Sequence, residues 1–168
     1  DGDHVTITNY EIAKSDYSKY FDITKSGKIS IIKGSAALLP GIYNISLKLT
    51  TGASSEDEGI FENALEINVT SAPFGLEYTP NEDMLEAEND KSGKTSFQSN
   101  APALKGSLEG IEYSIKNITP TTDKIKIDPT TGVLSVDKDH GLQSGNNYVI
   151  SIHVKNNFGE EDFNNAFT

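Results

Sequence analysis

The chain of 168 residues has no cysteine, no tryptophan and no arginine. Without cysteine there are neither disulfides nor thiolate metal sites, which is compatible with an exported bacterial protein. Without tryptophan, the largest flat face for stacking on a sugar ring is missing. All fourteen basic residues are lysines, against 25 Asp and Glu, for a formal net charge of −11. Nucleic-acid binding needs a basic stripe, so this balance excludes nucleic acid as the expected partner and disfavours anionic membrane surfaces equally. No apolar run approaches the roughly 20 residues of a membrane helix, so no membrane insertion by this segment is expected. No phosphate loop of the Gly-x-x-x-x-Gly-Lys-Ser/Thr type occurs, and no Gly-x-Ser-x-Gly elbow. Nor does any segment longer than about ten residues carry a 3.6 period, so almost no helix is expected.

What the chain does have is clearest in 125–154. Ile125 and Ile127 alternate with Lys126 and Asp128, the period of a strand with one buried face. Asp128-Pro-Thr-Thr-Gly132 is a turn: Pro129 presets φ, and Gly132 can take the left-handed conformation that closes it. Val133, Leu134 and Val136 return as the next strand. After a polar stretch, 137–147, Tyr148, Ile150, Ile152 and Val154 are expected to face one way, and Val149, Ser151, His153 and Lys155 the other. Burying the first four contributes on the order of 6–12 kcal/mol before entropy is subtracted.

The first half repeats this pattern. Phe21 and Ile23, the turn Ser26-Gly27, Ile29 and Ile31, then Tyr43, Ile45, Leu47 and Leu49 follow the same order. Gly27 to Tyr43 and Gly132 to Tyr148 are equally far apart. Phe61-x-Asn63-Ala64-Leu65 corresponds to Phe163-x-Asn165-Ala166-Phe167, each preceded by an acidic stretch, Glu56-Asp57-Glu58 and Glu160-Glu161-Asp162, expected as a hairpin loop. Tyr10-x-Ile12 corresponds to Tyr113-x-Ile115. A self-match at this many ordered positions implies tandem domains. The boundary is set at Thr70-Ser-Ala-Pro73, since a proline after a strand ends pairing. This gives 1–70, expected to be incomplete at its N-terminus, and 71–168, with its last strand expected to be truncated. Short strands with turn signals at regular intervals indicate antiparallel β-sandwiches. A sandwich without its first strands exposes an edge, which invites edge-strand pairing with another chain.

Leu76-Glu-Tyr78, Tyr113-Ser-Ile115, Ile127-Asp-Pro-Thr-Thr-Gly132-Val-Leu-Ser-Val136, Leu142, Gly145, Tyr148, Phe163 and Ala166 resemble the cadherin-like or Ig-like repeats of Bacteroidetes cell-surface proteins, including glycan-binding lipoproteins. The resemblance covers nearly all of 71–168 and, less fully, 1–70. It implies an all-β fold of tandem Ig-like/cadherin-like sandwiches, export to the cell surface or outer membrane, and a role as a rigid spacer that holds a binding domain away from the membrane. Polysaccharide and neighbouring domains of the same protein are the partners it implies. Cadherin repeats bind calcium through an acidic linker motif, and Val69-Thr-Ser-Ala-Pro73 departs from it.

The residues name no catalytic, cofactor or metal site. His4, His140 and His153 have no partner at metal-ligand spacing. His153 alternates outward and reads as a solvated residue. Asp137-Lys-Asp139-His140 offers few of the roughly six oxygens a hard cation needs. Tyr17, Tyr20 and Phe158 are the aromatics expected nearer the surface. The reading is a non-enzymatic spacer or scaffold that supports glycan capture or adhesion. A direct carbohydrate-binding module and a calcium-dependent adhesion module are the open alternatives.

Overall fold

The computed structural model describes residues 6–33, 38–52, 57–83, 85, 96–143 and 145–168. The chain divides into two compact units, Asp1–Val69 and Thr70–Thr168. Their regular elements are strands, apart from a 3-10 turn at Ser18–Tyr20. The fold is all-β and antiparallel, as the alternation required.

The first unit contains β1 (Asn9–Ile12), β2 (Phe21–Ile23), β3 (Ile29–Ile31), β4 (Gly41–Thr50) and β5 (Glu58–Val69). β4 lies between β1 and β5, while β2 pairs with β3. The second unit contains β6 (Phe74–Glu77), β7 (Phe97–Gln98), β8 (Ala103–Lys105), β9 (Glu112–Thr119), β10 (Ile125–Ile127), β11 (Leu134–Val136), β12 (Val149–Asn156) and β13 (Gly159–Phe167). Here β12 lies between β9 and β13, β11 lies between β10 and β7, and β6 pairs with β8. The order β1-β4-β5 therefore recurs as β9-β12-β13, and β2-β3 recurs as β10-β11.

The core of the second unit follows the long strand. Ile150 is 3% exposed, Ile152 and Val154 0%, and Tyr148 is half-buried. Tyr113, Leu134, Val136 and Phe167 complete it. Ser151 departs from the expected alternation, being buried rather than solvated. The reason is an irregularity in the pairing. Ile150 pairs with Phe167 and Ile152 with Phe163, so a single residue of β12 faces three of β13. Asn165, in the middle of those three, takes φ 53°. Its N–H donates to Ser151 Oγ at 3.1 Å. The first unit repeats the device: Ile45 pairs with Leu65 and Leu47 with Phe61. Asn63 takes φ 50° there, and its N–H donates to Ser46 Oγ at 3.0 Å. Asparagine tolerates the left-handed region that most residues avoid, and an inward serine replaces the ladder partner this amide has lost. The recurring Phe-x-Asn-Ala of the sequence is this bulge.

The glycine and tyrosine of the repeat meet in space. Gly132 has φ 72°, and a Cβ there would lie 2.9 Å from the Tyr113 ring and 2.9 Å from Pro102. Gly27 has φ 79°, and its Cβ would lie 3.1 Å from the Tyr10 ring. Both turns thus need glycine twice over, for backbone conformation and for the ring lying against it. The long-strand tyrosines share a second device. Tyr43 Oη donates to Leu39 O at 2.7 Å, and Tyr148 Oη accepts from Gln143 N at 3.2 Å. Each phenol reaches back to the backbone of the segment that leads into its own strand.

The acidic stretch 160–162 is strand, not hairpin loop. Lys155 pairs with Glu160 and His153 with Asp162 along β12 and β13, and the turn is Asn157-Phe158. In the first unit Glu58 opens β5, while Glu56 lies outside the described residues.

Two substitutions test these devices by urea unfolding. Gly132→Ala adds a left-handed penalty and a clash with the Tyr113 ring, and is expected to cost about 2–4 kcal/mol. Ser151→Ala removes the acceptor of the part-buried Asn165 N–H bond and is expected to cost about 0.5–1.5 kcal/mol.

Candidate functional site

The polar groups that could carry chemistry lie in three places in the second unit. The first is the outer face of β9-β12-β13. Lys155 Nζ meets Glu112 Oε2 at 2.9 Å, Lys116 Nζ meets Asp162 Oδ2 at 2.7 Å, and His153 Nδ1 meets Asp162 Oδ1 at 2.8 Å. The Lys116 hydrogen bond, and after it the His153 bond, hold the Asp162 carboxyl below the usual aspartate value. Antiparallel pairing dictates this ladder, because it sets acid opposite base across neighbouring strands. At the exposure of these side chains each pair contributes little to stability. His153, expected as solvated, is half-buried within the ladder. The carboxylates are engaged by cationic partners rather than converging on an open centre.

The second place is the loop after β11. Asp137 pairs with Lys126 Nζ of β10. His140 is buried, and its Nδ1 accepts the Leu142 N–H at 2.9 Å. For Nδ1 to accept, the proton of the ring sits on Nε2, and that atom is buried with no hydrogen-bond partner among the described residues. His140 thus pins its loop. His4 lies outside the described residues, and no group of three or more His, Cys, Asp or Glu among the described residues could hold a metal ion.

The third place is a cleft of ≈ 680 Å³ between β6 with its following loop, Leu76–Asn81, and β13 at 162–166. Asn81, Asp162, Asn164 and Asn165 give it amides and a carboxylate, groups that can meet sugar hydroxyls. It offers no exposed tyrosine face. Tyr78 is 3% exposed, burial pushes its phenol up, and its Oη donates to Gly132 O at 2.6 Å. No pattern in the sequence marks this cleft, because it joins segments some eighty residues apart; the adjacent Asn164-Asn165 pair is the one local signal. Of the surface aromatics, Tyr17 meets Tyr43 edge-on at 5.2 Å, and Tyr20 lies under Lys19 Nζ at 5.0 Å. Phe158 belongs to the β12–β13 turn of the other unit, so the described residues of neither unit gather a stacking platform from these three.

The family model described as the third Ig-like domain of BT4661 matches residues 76–168, and the one for the second Ig-like domain of BT4661 matches residues 1–69. The chain belongs to this family of Ig-like domains. Its two units are tandem Ig-like sandwiches, as the resemblance in the repeat residues implied. No curated protein matches the chain. A solved structure that does match is that of BT4661, described as "a SusE-like surface located polysaccharide binding protein from the Bacteroides thetaiotaomicron heparin utilisation locus". Identity is 41% over 87% of this chain, with a TM-score of 0.37, and the match spans 18% of that protein.

The second Ig-like unit has one further carboxylate with a marked environment. Asp128 Oδ1 accepts the N–H groups of Thr130 and Thr131, both at 2.8 Å. These bonds, Thr131 first, hold its carboxyl below the usual 3.8. A carboxylate depressed on folding stabilises the fold above its unfolded value, and that contribution is lost as pH falls through the folded one. Urea midpoints should therefore drop as pH is lowered below 3.8. Asp128→Asn keeps an acceptor for both amides and removes the titrating charge. The expected result is a shallower drop than in the parent.

Proposed function

We propose that this chain is a non-enzymatic spacer or scaffold segment of a bacterial cell-surface protein engaged in glycan capture. The family's reference protein is described as surface located and polysaccharide binding, and that description supports the surface and the glycan context. Export to the outer membrane is part of the same proposal.

The observation that carries the spacer reading is how fully the recurring side chains serve the fold. Gly27 and Gly132, Tyr43 and Tyr148, Asn63 and Asn165 recur because they make turns, corners and bulges. The ionisable groups of the β9-β12-β13 face are paired with one another. An enzyme needs a nucleophile or an acid–base pair facing a substrate, and the described residues offer no such arrangement.

Charge sharpens the reading. An anionic polysaccharide is gripped by guanidinium forks and clustered cations. This chain has no arginine and a formal net charge of −11. If the captured glycan is anionic, the contact lies elsewhere in the protein. Among the described residues, the Asn81–Asn164 cleft is where a neutral glycan would be sought.

Calorimetry of the 168-residue chain against a panel of neutral and sulfated polysaccharides tests this. The expected outcome is no heat of binding, at low salt as at physiological salt. Saturable binding to any member that Asn164→Ala abolishes would replace the spacer reading with a direct carbohydrate-binding module.

A further inference from the structure

The connector that follows the first unit is built into the second. β5 ends at Val69, and the second unit begins at Thr70. Ser71 N–H donates to Ser107 Oγ at 3.1 Å, and Ser71 O accepts from Asn156 Nδ2 at 2.9 Å. Ala72 lies between two glycines. A Cβ on Gly106 would meet Ala72 O at 2.6 Å, and one on Gly159 would meet Ala72 Cβ at 2.8 Å. Both are glycines because the connector passes where a side chain would stand. Pro73 is fully buried.

Asn156 is the knot. Its Nδ2 carries two hydrogens, and the second bond goes to Ser107 O at 2.7 Å. Its Oδ1 accepts the Phe158 N–H at 2.8 Å. One side chain thereby joins the connector, the loop after β8 and the β12–β13 turn. It is not one of the recurring devices. Thr51 lies as far beyond Tyr43 as Asn156 lies beyond Tyr148. The Thr51 hydroxyl donates to Asp57 O at 3.2 Å, within its own hairpin. The repeat fold is thus made without an amide at this position, and in the second unit the amide serves the connector.

We infer that Asn156 is the positioning residue of the joint: it locks Ser71–Pro73 onto the second unit and leaves Thr70 as the residue at which the units swing. The inference rests on the spacer reading for its purpose, since a spacer holds its load only as steadily as its joint. Its test reads the connector and not a glycan, so either can fail alone.

Backbone amide NMR relaxation of the intact, isotope-labelled chain tests it. The order parameters expected at Ser71 and Ala72 equal those of β12, about 0.85, and the two units are expected to tumble with one correlation time. Asn156→Asp keeps the acceptor for Phe158 and replaces both donors with an oxygen that faces two carbonyls. It is expected to drop Ser71 and Ala72 below about 0.6 and to split the correlation times, while the resonances of Ile150–Val154 stay in place. Two glycines inserted after Thr70 are expected to split the times without loosening Ser71. The insertion leaves every residue of the knot unaltered, so it decides the matter if Asn156→Asp fails to fold. Mobile Ser71 and Ala72 amides in the parent chain would overturn the inference. So would an Asn156→Asp chain or an insertion chain that relaxes as the parent does.

Discussion

In each unit a tyrosine ring rests on a glycine that could carry no side chain without displacing it. Tyr113 covers Gly132 and Tyr10 covers Gly27. The contact joins the turn of one β-ribbon, β10-β11 or β2-β3, to the first strand of the three-stranded sheet. The glycine is fixed at positive φ by its turn, so the ring has a flat seat at one place along the strand. Gly132 also supplies, through its carbonyl, the acceptor for the buried Tyr78 phenol. One residue without a Cβ thereby orients two aromatic side chains of the second unit's core.

The bulge in the long hairpin follows from the same need to aim side chains. β13 has two more residues than β12 between the two inward-facing pairs, and the surplus sets Phe167 opposite Ile150, where a regular ladder would have set Asn165. A regular ladder across this interval would have placed an equal number of residues on both strands. The deviation leaves one amide without a strand partner, and a serine at the opposing position accepts it. That the first unit makes the same choice with Ser46 and Asn63 shows the two copies share backbone detail, not merely strand order.

Much of this was legible in the sequence. Alternation in 148–154 and 43–49 marked the central strands, and the Pro/Gly and Ser-Gly turns marked the ribbons. Ser151 was misread as outward because period-two counting presumes an unbroken ladder, and nothing within β12 itself reveals the break. The signal lay on the other strand, in the recurring asparagine. Glu160–Asp162 was misread as loop because a run of acids is the usual mark of a solvated tip. Here Glu160 and Asp162 lie opposite Lys155 and His153, and opposite charge makes them good strand residues. The β6–β13 cleft was illegible because it depends on where a loop eighty residues upstream comes to rest.

The turn at Asp128 has a consequence for how the protein ages. An Asp–Pro peptide bond is hydrolysed in acid when the aspartyl carboxyl attacks its own main-chain carbonyl carbon. At Asp128–Pro129 that carboxyl is committed to the amides of Thr130 and Thr131. Both bonds fall on Oδ1, so the rate at which acid nicks the chain there reports how readily that side chain leaves its turn.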